Sequence, residues 1–569
     1  MNVTGWSRGL EVTGGGQGVV SHAGLALLRH LADKTGLTGG LSRALATARI
    51  LVHDRGRVVA DLACAIADGA RVISDFRVMS DQSELFGLVA SVPTAWRTPA
   101  EIARAGSRAD RRITAAVNAA RRHAWAQIAG RHGALPGIRL ADKTLAGVVC
   151  IRLDATVTLA HSDKQFAEAG FKGYGHHPLI GVCDNTGGEP LAWMLRRGSA
   201  GSNTTADHLV LLDAAIAALP PAFRRRLMVT ADGAGASHGL IARLDALAGR
   251  RGYELVYSVG WVLGERERAA LRLVPDQAWQ IAIDGRGEVR ERRADDSCAD
   301  LRCAHRACWI EEAHVTELTS LLREGPGGDQ LAGWPAAMRV FARRERPHPG
   351  AQLSLFEAAD GWRYSLWVTN RPAATRGWLG QNAYIDAAHR VHARVEDAIR
   401  TGKDAGLGHL PSRDFAVNAA WLTAAMTGQV LLAWLKLLAL DGDLASAEPK
   451  TLRYRLLHAA ARLARGGRRR RLKIQATWPW AEAITIAWQR IDALPQAPRP
   501  ASDRPCDPGR RTSGPVEPRP PGPPAGPLSC PIGKIRAGNT VRHRSAPAIN
   551  PGERSGLDKF RFDPYRSVL

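Results

Sequence analysis

The chain has 569 residues, enough for three or four domains of roughly 150 residues each. It carries 77 Lys and Arg against 54 Asp and Glu, a net charge of +23, and its 45% of hydrophobic residues supports a sizeable core. This composition excludes wholesale disorder, a disulfide-stapled miniprotein and a repeat solenoid. The positive charge indicates a polyanionic partner, with nucleic acid as the leading candidate.

Nothing in the sequence is typical of export or of membrane insertion. The eight cysteines are too sparse and irregular for an extracellular disulfide framework. Residues 1–20 are rich in Gly and lack the apolar core of a signal peptide. The most apolar stretch, 419–440, is interrupted by Gln429 and Lys436, which favours a buried core helix over a membrane span. We therefore expect a cytosolic protein with no membrane partner.

The first 145 residues predict a helical domain. Asp54 precedes an apolar stripe with helical spacing and is a candidate N-cap. Residues 98–101, Thr-Pro-Ala-Glu, form a capping box that predicts the start of another helix. That helix is rich in arginine, and we weigh DNA contact, with Arg111 and Arg112 as the candidates, evenly against a solvated basic face. Its arginines are Arg104, Arg108, Arg111, Arg112, Arg121 and Arg122.

From residue 146 the pattern becomes an alternation of strands and helices. Three strands joined by short loops predict an antiparallel meander, and the later helical crossovers imply parallel pairing onto the same sheet. The order β-β-β-α-β-α-β is that of the α/β RNase H-like fold, a mixed sheet flanked by helices. The predicted elements are strands at 148–159, 179–183 and 190–195, a helix at 206–219, a strand at 226–231, a helix at 237–248 and a strand at 254–259.

The remaining sequence adds an insertion, further helices and a tail. Residues 451–475 hold nine Lys and Arg and no acidic residue, which predicts nonspecific contacts with phosphates. Residues 501–569 contain 13 prolines and few aliphatic residues, a composition typical of disorder. The predicted domains are 1–145 (helical, DNA-binding), 146–260 (RNase H-like core, first part), 261–363 (β-rich insertion), 364–445 (core, second part), 446–495 (basic helical region) and 496–569 (Pro-rich tail).

Two aspartates occupy places where a strand normally carries none. Asp154 lies within the most strongly β-patterned run of the chain, and Asp232 directly follows the strand at 226–231. On adjacent strands their carboxylates would form a hard oxygen site suited to Mg²⁺. Each residue also has a structural alternative, because Asp154 could cap a local bulge and Asp232 could cap the helix that starts near Ser237.

Glu396 is the third candidate ligand. Helical spacing places it in a stripe of otherwise basic residues that would face DNA phosphates. The alternative is a solvated helix in which Glu396 pairs with Arg400 four residues later. The residues of this stripe are His389, His392, Glu396, Arg400 and Lys403.

Taken together, the motifs of residues 20–490 resemble the DDE transposases of bacterial insertion sequences, in the group with a β-rich insertion between the second Asp and the Glu. The motifs that carry the resemblance are HDRGRVVADLA (53–63), LFGLVASVPTAWR (85–97), LDATVTLAHSDKQFAEAGFKGYGHHPL (153–179), GSAGSNTTADH (198–208), ADGAGASH (231–238), RRERPHPGAQL (343–353), HRVHARVEDAIRTGKDAGLGHLPS (389–412) and WPWA (478–481).

The resemblance implies that Asp154, Asp232 and Glu396 are the catalytic triad and hold two Mg²⁺ ions, for which Mn²⁺ can substitute. Related transposases place a tyrosine, an arginine and a lysine around the glutamate. Here Lys403 matches, while His389 and His392 stand at the other two positions, which leaves open whether excision passes through hairpins. The residues that we expect to contact DNA are Arg390, Arg394, Arg400, Lys403, Arg343, Arg344, Arg346, Arg111 and Arg112.

The implied function is cut-and-paste transposition. The protein would bind the terminal inverted repeats of its element as a homodimer, cleave double-stranded DNA and join it to a target, acting at the bacterial nucleoid. Two alternatives remain: a nuclease of the same fold that does not join strands, and an inactive DNA-binding protein derived from a transposase. In the insertion, Cys298, Cys303, His305 and Cys308 are of ligand type, but their crowded spacing makes zinc unlikely.

Overall fold

The computed structural model describes residues 10–48, 51–170, 173–201, 204–290, 312–348, 350–372 and 381–498. All of them fall within one compact unit, residues 1–500. The predicted cysteine-histidine cluster and all but three residues of the Pro-rich tail lie outside the described residues. The boundaries of the individual domains remain predictions.

The N-terminal region is helical, as predicted, with three short strands. Asp54 caps α3, since its carboxylate accepts a hydrogen bond of 2.7 Å from the backbone N–H of Arg57. The elements are β1 (Val19–Val20), α1 (Leu25–Lys34), α2 (Leu37–Ala44), α3 (Arg55–Ala67), α4 (Arg77–Ser80), α5 (Ser83–Phe86), α6 (Val92–His132), β2 (Ile138–Leu140) and β3 (Lys143–Leu145).

Helix α6 does not begin at the predicted capping box. It starts at Val92, after Ser91, and is interrupted at Gly106, where φ is 59°. Within its first segment Thr98 donates its hydroxyl to the Thr94 carbonyl, at 2.9 Å, instead of capping a new helix. The side chain of Glu101 binds the Arg55 guanidinium, at 2.5 and 3.0 Å. The local pattern was therefore misleading because Glu101 has a tertiary partner.

The central region forms the core of a nine-stranded sheet. Strands β4, β8 and β9 make the predicted antiparallel meander, and β10 lies parallel to both β4 and β11. The elements are β4 (Val149–Ala155), β5 (Thr158–Leu159), β6 (Glu168–Gly170), β7 (Gly173–His176), β8 (Leu179–Cys183), β9 (Glu189–Met194), α7 (Thr205–Ala218), β10 (Arg226–Ala231), α8 (His238–Ala248) and β11 (Glu254–Trp261).

The insertion continues this sheet. Beyond β11 the sheet adds β15, which begins at the end of the predicted insertion, and then the insertion strands β14, β13 and β12. All pair antiparallel, so the complete order is β12-β13-β14-β15-β11-β10-β4-β8-β9. Short helices accompany the strands, and the hydrogen-bonded ladder runs from the core into the insertion without a break. The elements are α9 (Glu265–Arg272), β12 (Gln280–Ile281), β13 (Ala313–Glu317), α10 (Thr319–Glu324), β14 (Arg339–Glu345), α11 (Leu355–Asp360) and β15 (Arg363–Thr369).

The C-terminal region wraps back onto the N-terminal helices. Its elements are α12 (Asn382–Arg390), α13 (Arg394–Gly402), α14 (Phe415–Ala439), α15 (Gly442–Ser446), α16 (Pro449–Leu452), β16 (Ala461–Gly466), β17 (Arg469–Ile474) and α17 (Ala481–Ala493). Helix α14 packs against α3, α6 and β9. It is long and apolar enough to cross a membrane, but 83% of its most apolar part is buried inside the protein. This confirms the prediction of a core helix.

The prediction of helix for the basic run is wrong at 461–474. Strands β16 and β17 form an antiparallel hairpin, and β1 adds a third strand to it. Gly467 and Arg468 connect the strands with φ values of 57° and 59°. A two-residue turn with both φ values positive matches the twist of a hairpin. Leu463 and Leu472 form a cross-strand pair that packs inward, and this pairing overrides the helical tendency of the arginine run.

Candidate active site

Strand register brings two of the three predicted carboxylates together. In the parallel pair β4–β10, Leu153 lies opposite Ala231, so the next residues in register are Asp154 and Asp232. Neither structural alternative applies. The ladder between β4 and β8 runs through Asp154 without a bulge, and the N-cap of α8 is Ser237. The two aspartates therefore lie side by side at the carboxyl end of adjacent strands.

Glu396 lies at the same place, contributed by a helix. It belongs to the first turn of α13 and is exposed. Asp154, Asp232 and Glu396 together line one cleft of about 1030 Å³. The predicted pair between Glu396 and Arg400 does not form. Arg400 binds Asp397, at 2.8 Å, and Glu448, and among the described residues no cation lies within 4 Å of the Glu396 carboxylate.

Helix α13 is fixed to the core by close contacts on its buried side. The Gln429 side-chain amide donates to the Ala398 carbonyl, at 2.9 Å, and so ties α13 to α14. Gly188 has a φ of 82°, and a Cβ there would stand 2.7 Å from Ala398 Cβ. A Cβ at Gly402 would meet Gln429 Oε1 at 2.9 Å. These contacts set the height of Glu396 above the sheet, and no sequence pattern predicts any of them.

A buried polar network supports the turn before α13. The Arg152 guanidinium binds Asp184, at 2.7 Å, and donates to Thr230 Oγ1, at 3.2 Å. Thr230 Oγ1 in turn contacts His392 Nδ1 at 2.9 Å. Because the arginine can only donate, the threonine hydroxyl has its proton available for His392 Nδ1. That arrangement leaves the proton of the imidazole on Nε2, which is buried without a hydrogen bond among the described residues.

The two histidines of the stripe are neutral. Burial, with the charges of Arg390 and Arg152, lowers the pKa of His389 to about 3. Burial and the charge of Arg152 also lower the pKa of His392 to about 3. His389 contacts Ser258 Oγ at 3.0 Å and stacks on Trp367. The expectation of a basic stripe is therefore wrong at these two positions, where the imidazoles face the sheet.

The cations predicted beside Glu396 divide into two groups. Arg400 and Lys403 line the cleft, as expected for residues that would bind phosphates. Arg394 binds Asp184, at 3.1 Å, and donates to the Arg139 carbonyl, at 2.8 Å. Arg390 binds Asp386, at 2.8 Å. The last two guanidinium groups hold α12 and α13 against the sheet, and neither lines the cleft.

The arginines at the end of the insertion are also bound within the protein. Arg343 is 2% exposed and binds the buried Asp386 at 2.8 Å, so the prediction that it contacts DNA is wrong. Its guanidinium instead joins β14 to α12. Arg344 lies over Trp279, and Arg346 lies 3.8 Å from the centre of the Trp362 ring and binds Glu312. DNA contact by these two remains a prediction.

The arginines of α6 differ sharply from one another. Arg111 is exposed, and Arg112 is exposed with one donor on the Arg43 carbonyl, at 2.9 Å. Arg121 is fully buried and binds Glu189 at 2.7 Å, so it has no place in a basic surface. The indole N–H groups of Trp125 and Trp434 donate to the same carboxylate at 2.8 and 3.0 Å.

The cleft has the donor set that a divalent hard cation requires. Two aspartates on neighbouring strands and one glutamate on a helix supply carboxylate oxygens from three directions, which fits Mg²⁺ or Mn²⁺. A second group of possible ligands lies elsewhere: His22 Nδ1 is 2.6 Å from Asp68 Oδ2, and His458 completes the group. That group joins the N-terminal segment to α3 and to the start of the basic hairpin.

The chain is similar to a known protein family and to a solved structure. The sequence matches the transposase DDE domain, group 1, over residues 4–496. No curated protein matches the sequence. Among solved structures, one match is a piggyBac transposase synaptic complex with hairpin DNA, at 8% identity and a TM-score of 0.34, covering 78% of this chain and 82% of that one. Because the family match covers most of its length, the chain belongs to the family of transposases with a DDE domain of group 1.

Proposed function

We propose that the cleft lined by Asp154, Asp232 and Glu396 is the active site of a DNA transposase with an RNase H-like core. The enzyme cleaves the DNA at the terminal inverted repeats of its insertion sequence and joins the freed ends to a target. The observation that carries this proposal is the register of β4 and β10, which sets Asp232 beside Asp154 under the helix that bears Glu396.

The three carboxylates would hold two divalent ions, Mg²⁺ or Mn²⁺, which supply an activated oxygen nucleophile and stabilise the leaving 3′-oxygen. The residues of the chain bind and orient the DNA. Arg400 and Lys403 line the cleft and would bind phosphates beside the scissile bond. The pair Asp154–Asp232 would set the direction from which the DNA strand approaches the metal ions. The charged side chains act by holding the phosphates in position, because phosphoryl transfer needs no covalent bond to the protein.

The cleft can take part of one DNA strand. Its volume of about 1030 Å³ and its open position at the carboxyl ends of β4 and β10 leave room for a short stretch of sugar-phosphate backbone. Two ends of an element must be held together for joining, so we propose a homodimer as the working form, related by twofold symmetry. We place the reaction at the bacterial nucleoid, where the element resides.

Substitution of Asp232 tests the proposal. Asp232→Ala should abolish Mg²⁺-dependent strand cleavage of a duplex that carries the element's end, while its affinity for that duplex stays within about twofold of the wild type. Asp213→Ala is the matched control, because Asp213 is exposed on α7 and pairs with Arg243 at 2.9 Å, away from the cleft. Cleavage that survives in Asp232→Ala would overturn the assignment.

A strand-transfer assay separates the proposed enzyme from the alternatives. The transposase should join a precleaved end to a target plasmid, and a nuclease of the same fold should cleave without joining. A DNA-binding protein without activity would do neither in Mg²⁺ or Mn²⁺. Joined product that disappears with Asp232→Ala supports transposition by this site.

A further inference from the structure

The hairpin β16–β17 has two faces of different character. Residues alternate between the faces of a strand, so the register places Ala461, Leu463, Leu472 and Ile474 on one face. These four apolar side chains belong to a cluster with Val20 and Ala23 at the N-terminal segment. Near the turn the same face carries Arg470, which donates to the Glu84 carbonyl at 2.8 Å. This face is the one that docks on the protein.

The opposite face is formed by cations. We call it the outward face of the hairpin, and its charged residues are Arg462, Arg468, Arg469, Arg471 and Lys473, with Arg468 at the turn. All five are exposed. Within the described part of the chain, none of them has a carboxylate within 4 Å, in contrast to Arg465 on the other face, which lies 3.5 Å from Glu84.

The outward face contains a like-charge pair that an anion would relieve. Arg462 and Lys473 are directly opposite one another in the register, and like charges in such a pair cost free energy. Arg471 and Arg469 follow on the same side of β17, about 7 Å apart along the strand. Among the described residues, the fold brings no acidic side chain to this face. No described part of the chain therefore neutralises these cations, and the face is open to an anionic partner.

We propose that the outward face of the hairpin binds the phosphate backbone of double-stranded DNA, as a two-stranded ribbon separate from the catalytic cleft. This proposal rests on the proposed function, because it assigns a second contact to the same substrate. A strand of six residues is about 20 Å long and DNA carries one phosphate per 3.4 Å of each strand, so the ribbon spans on the order of six phosphates. Contacts of this kind hold the duplex in register and read no sequence.

The shape of the hairpin agrees with this partner. Beyond the two residues that pair with β1, the hairpin is two-stranded, and its outward face can lie along the phosphate rows that flank the major groove of B-DNA, which is about 12 Å wide. Arginine side chains reach several ångströms from the ribbon and bind phosphate oxygens in a fork. The apolar face keeps the ribbon attached to the N-terminal strand, to Ala23 and to Leu85 of α5, so that the DNA is bound by an element anchored on the protein.

The test is the salt dependence of DNA binding by the full-length protein. The hairpin variant Arg469→Gln/Arg471→Gln/Lys473→Gln removes three charges from the outward face. The matched control, Arg225→Gln/Arg250→Gln/Arg251→Gln, removes three exposed charges at the opposite end of β10 and β11 from Asp232. The probe is a linear duplex of arbitrary sequence, and the slope of log K against log salt concentration is measured.

We expect the hairpin variant to lower the magnitude of the slope by about 2.7, at about 0.9 per phosphate contact, and the control variant to leave it within about 0.5. An unchanged slope in the hairpin variant, or an equal loss in the control, would overturn the proposal. So would a hairpin variant that loses binding to phosphatidylserine vesicles and keeps its affinity for DNA. Thermal melting of both variants at the wild-type temperature verifies that they are folded.

Cleavage at low salt separates this proposal from the assignment of the active site. There the hairpin variant should cleave at the wild-type rate once DNA is saturating, whereas Asp232→Ala should bind with the wild-type slope and not cleave. A hairpin variant with the wild-type slope contradicts only the proposal that the hairpin binds DNA. Cleavage by Asp232→Ala contradicts only the assignment of the active site.

Discussion

The base of the cleft and the basic hairpin are both rich in arginine, but they use it in opposite ways. Beneath the cleft Arg152 and Arg394 converge on Asp184, while Arg343 and Arg390 converge on Asp386. On the outward face of the hairpin, no cation has a carboxylate partner among the described residues. The first set stabilises the fold, and we assign the second to the phosphates of the substrate.

The comparison shows that net charge alone does not locate a nucleic-acid surface. Four arginines near the cleft share two aspartates, so much of their charge is neutralised by ion pairs inside the protein. Arg121 is the extreme case, since both it and its partner Glu189 are fully buried. What distinguishes the outward face of the hairpin from these arginines is that its cations are exposed and have no carboxylate partner among the described residues. Each prediction below changes one side of this division.

The largest effect on stability should come from a buried arginine. Arg121→Met leaves the Glu189 carboxylate in the core with two indole N–H donors and no cation. We expect the free energy of unfolding in urea to fall by about 3–5 kcal/mol. Arg122→Met is the control, because Arg122 is the exposed neighbour on the same helix, and its change should stay within about 0.5 kcal/mol. Equal effects from the two substitutions would contradict the distinction between arginines that stabilise the fold and arginines that are exposed.

The histidines beneath the cleft should make the fold sensitive to acid. The pKa of His389 is lowered to about 3, against an ordinary value near 6.5 in the unfolded chain, so below about pH 6.5 the unfolded state binds the additional proton. The stabilising contribution is full above that pH and is lost as the pH falls towards 3. His389→Phe, which keeps a ring on Trp367, should reduce the loss of unfolding free energy between pH 7 and pH 5 by about 2 kcal/mol.

Urea titrations at both pH values measure this difference. The two proteins are compared as differences between pH values, so the constant cost of losing the Ser258 contact cancels. An identical pH dependence in the variant would contradict the assignment of a neutral, buried imidazole.

The smallest effect is expected on the outward face of the hairpin, where a substitution should change the stability of the fold. Lys473→Glu places a carboxylate directly opposite Arg462 in the antiparallel pair. We expect the variant to be more stable by about 0.2–1 kcal/mol, because a like-charge pair becomes an attractive one. We also expect it to bind DNA less tightly, because a cation that would contact phosphates is replaced by an anion. Differential scanning calorimetry and a DNA titration measure the two changes. A variant that is less stable, or that binds DNA as well as the wild type, would show that the cations of the hairpin stabilise the fold, as the arginines beneath the cleft do, and do not bind DNA.

The sequence predicted the strands and the three carboxylates because both are local signals. β-branched runs define β4 and β10, an Asp inside or just after such a run stands out, and a helical crossover between strands forces parallel pairing. The register that sets Asp232 beside Asp154 does not follow from this pattern and is seen only in the structure. Asp54 was also predicted as a cap from its position alone, and the structure confirms it.

The roles of the arginines could not be predicted because they depend on partners far along the chain. Arg343 binds Asp386, 43 residues later, and Arg121 binds Glu189, 68 residues later. No pattern around either arginine distinguishes it from an exposed one. The hairpin could not be predicted for a related reason. Its apolar face has only four apolar side chains, which are scattered among arginines in the sequence, and only the cross-strand pairing shows that they share a face.

The central claim is that the cleft carboxylates do the chemistry, and two neighbouring residues of α13 test it most directly. Glu396 lines the cleft, whereas Asp397 is exposed, pairs with Arg400 and does not line it. The measurement is the rate of Mg²⁺-dependent cleavage of an element end by Glu396→Gln and by Asp397→Asn. We predict a loss of at least 10³-fold for Glu396→Gln, on the scale of an essential catalytic group, and a change of less than about threefold for Asp397→Asn. Comparable rates in the two variants would contradict the account.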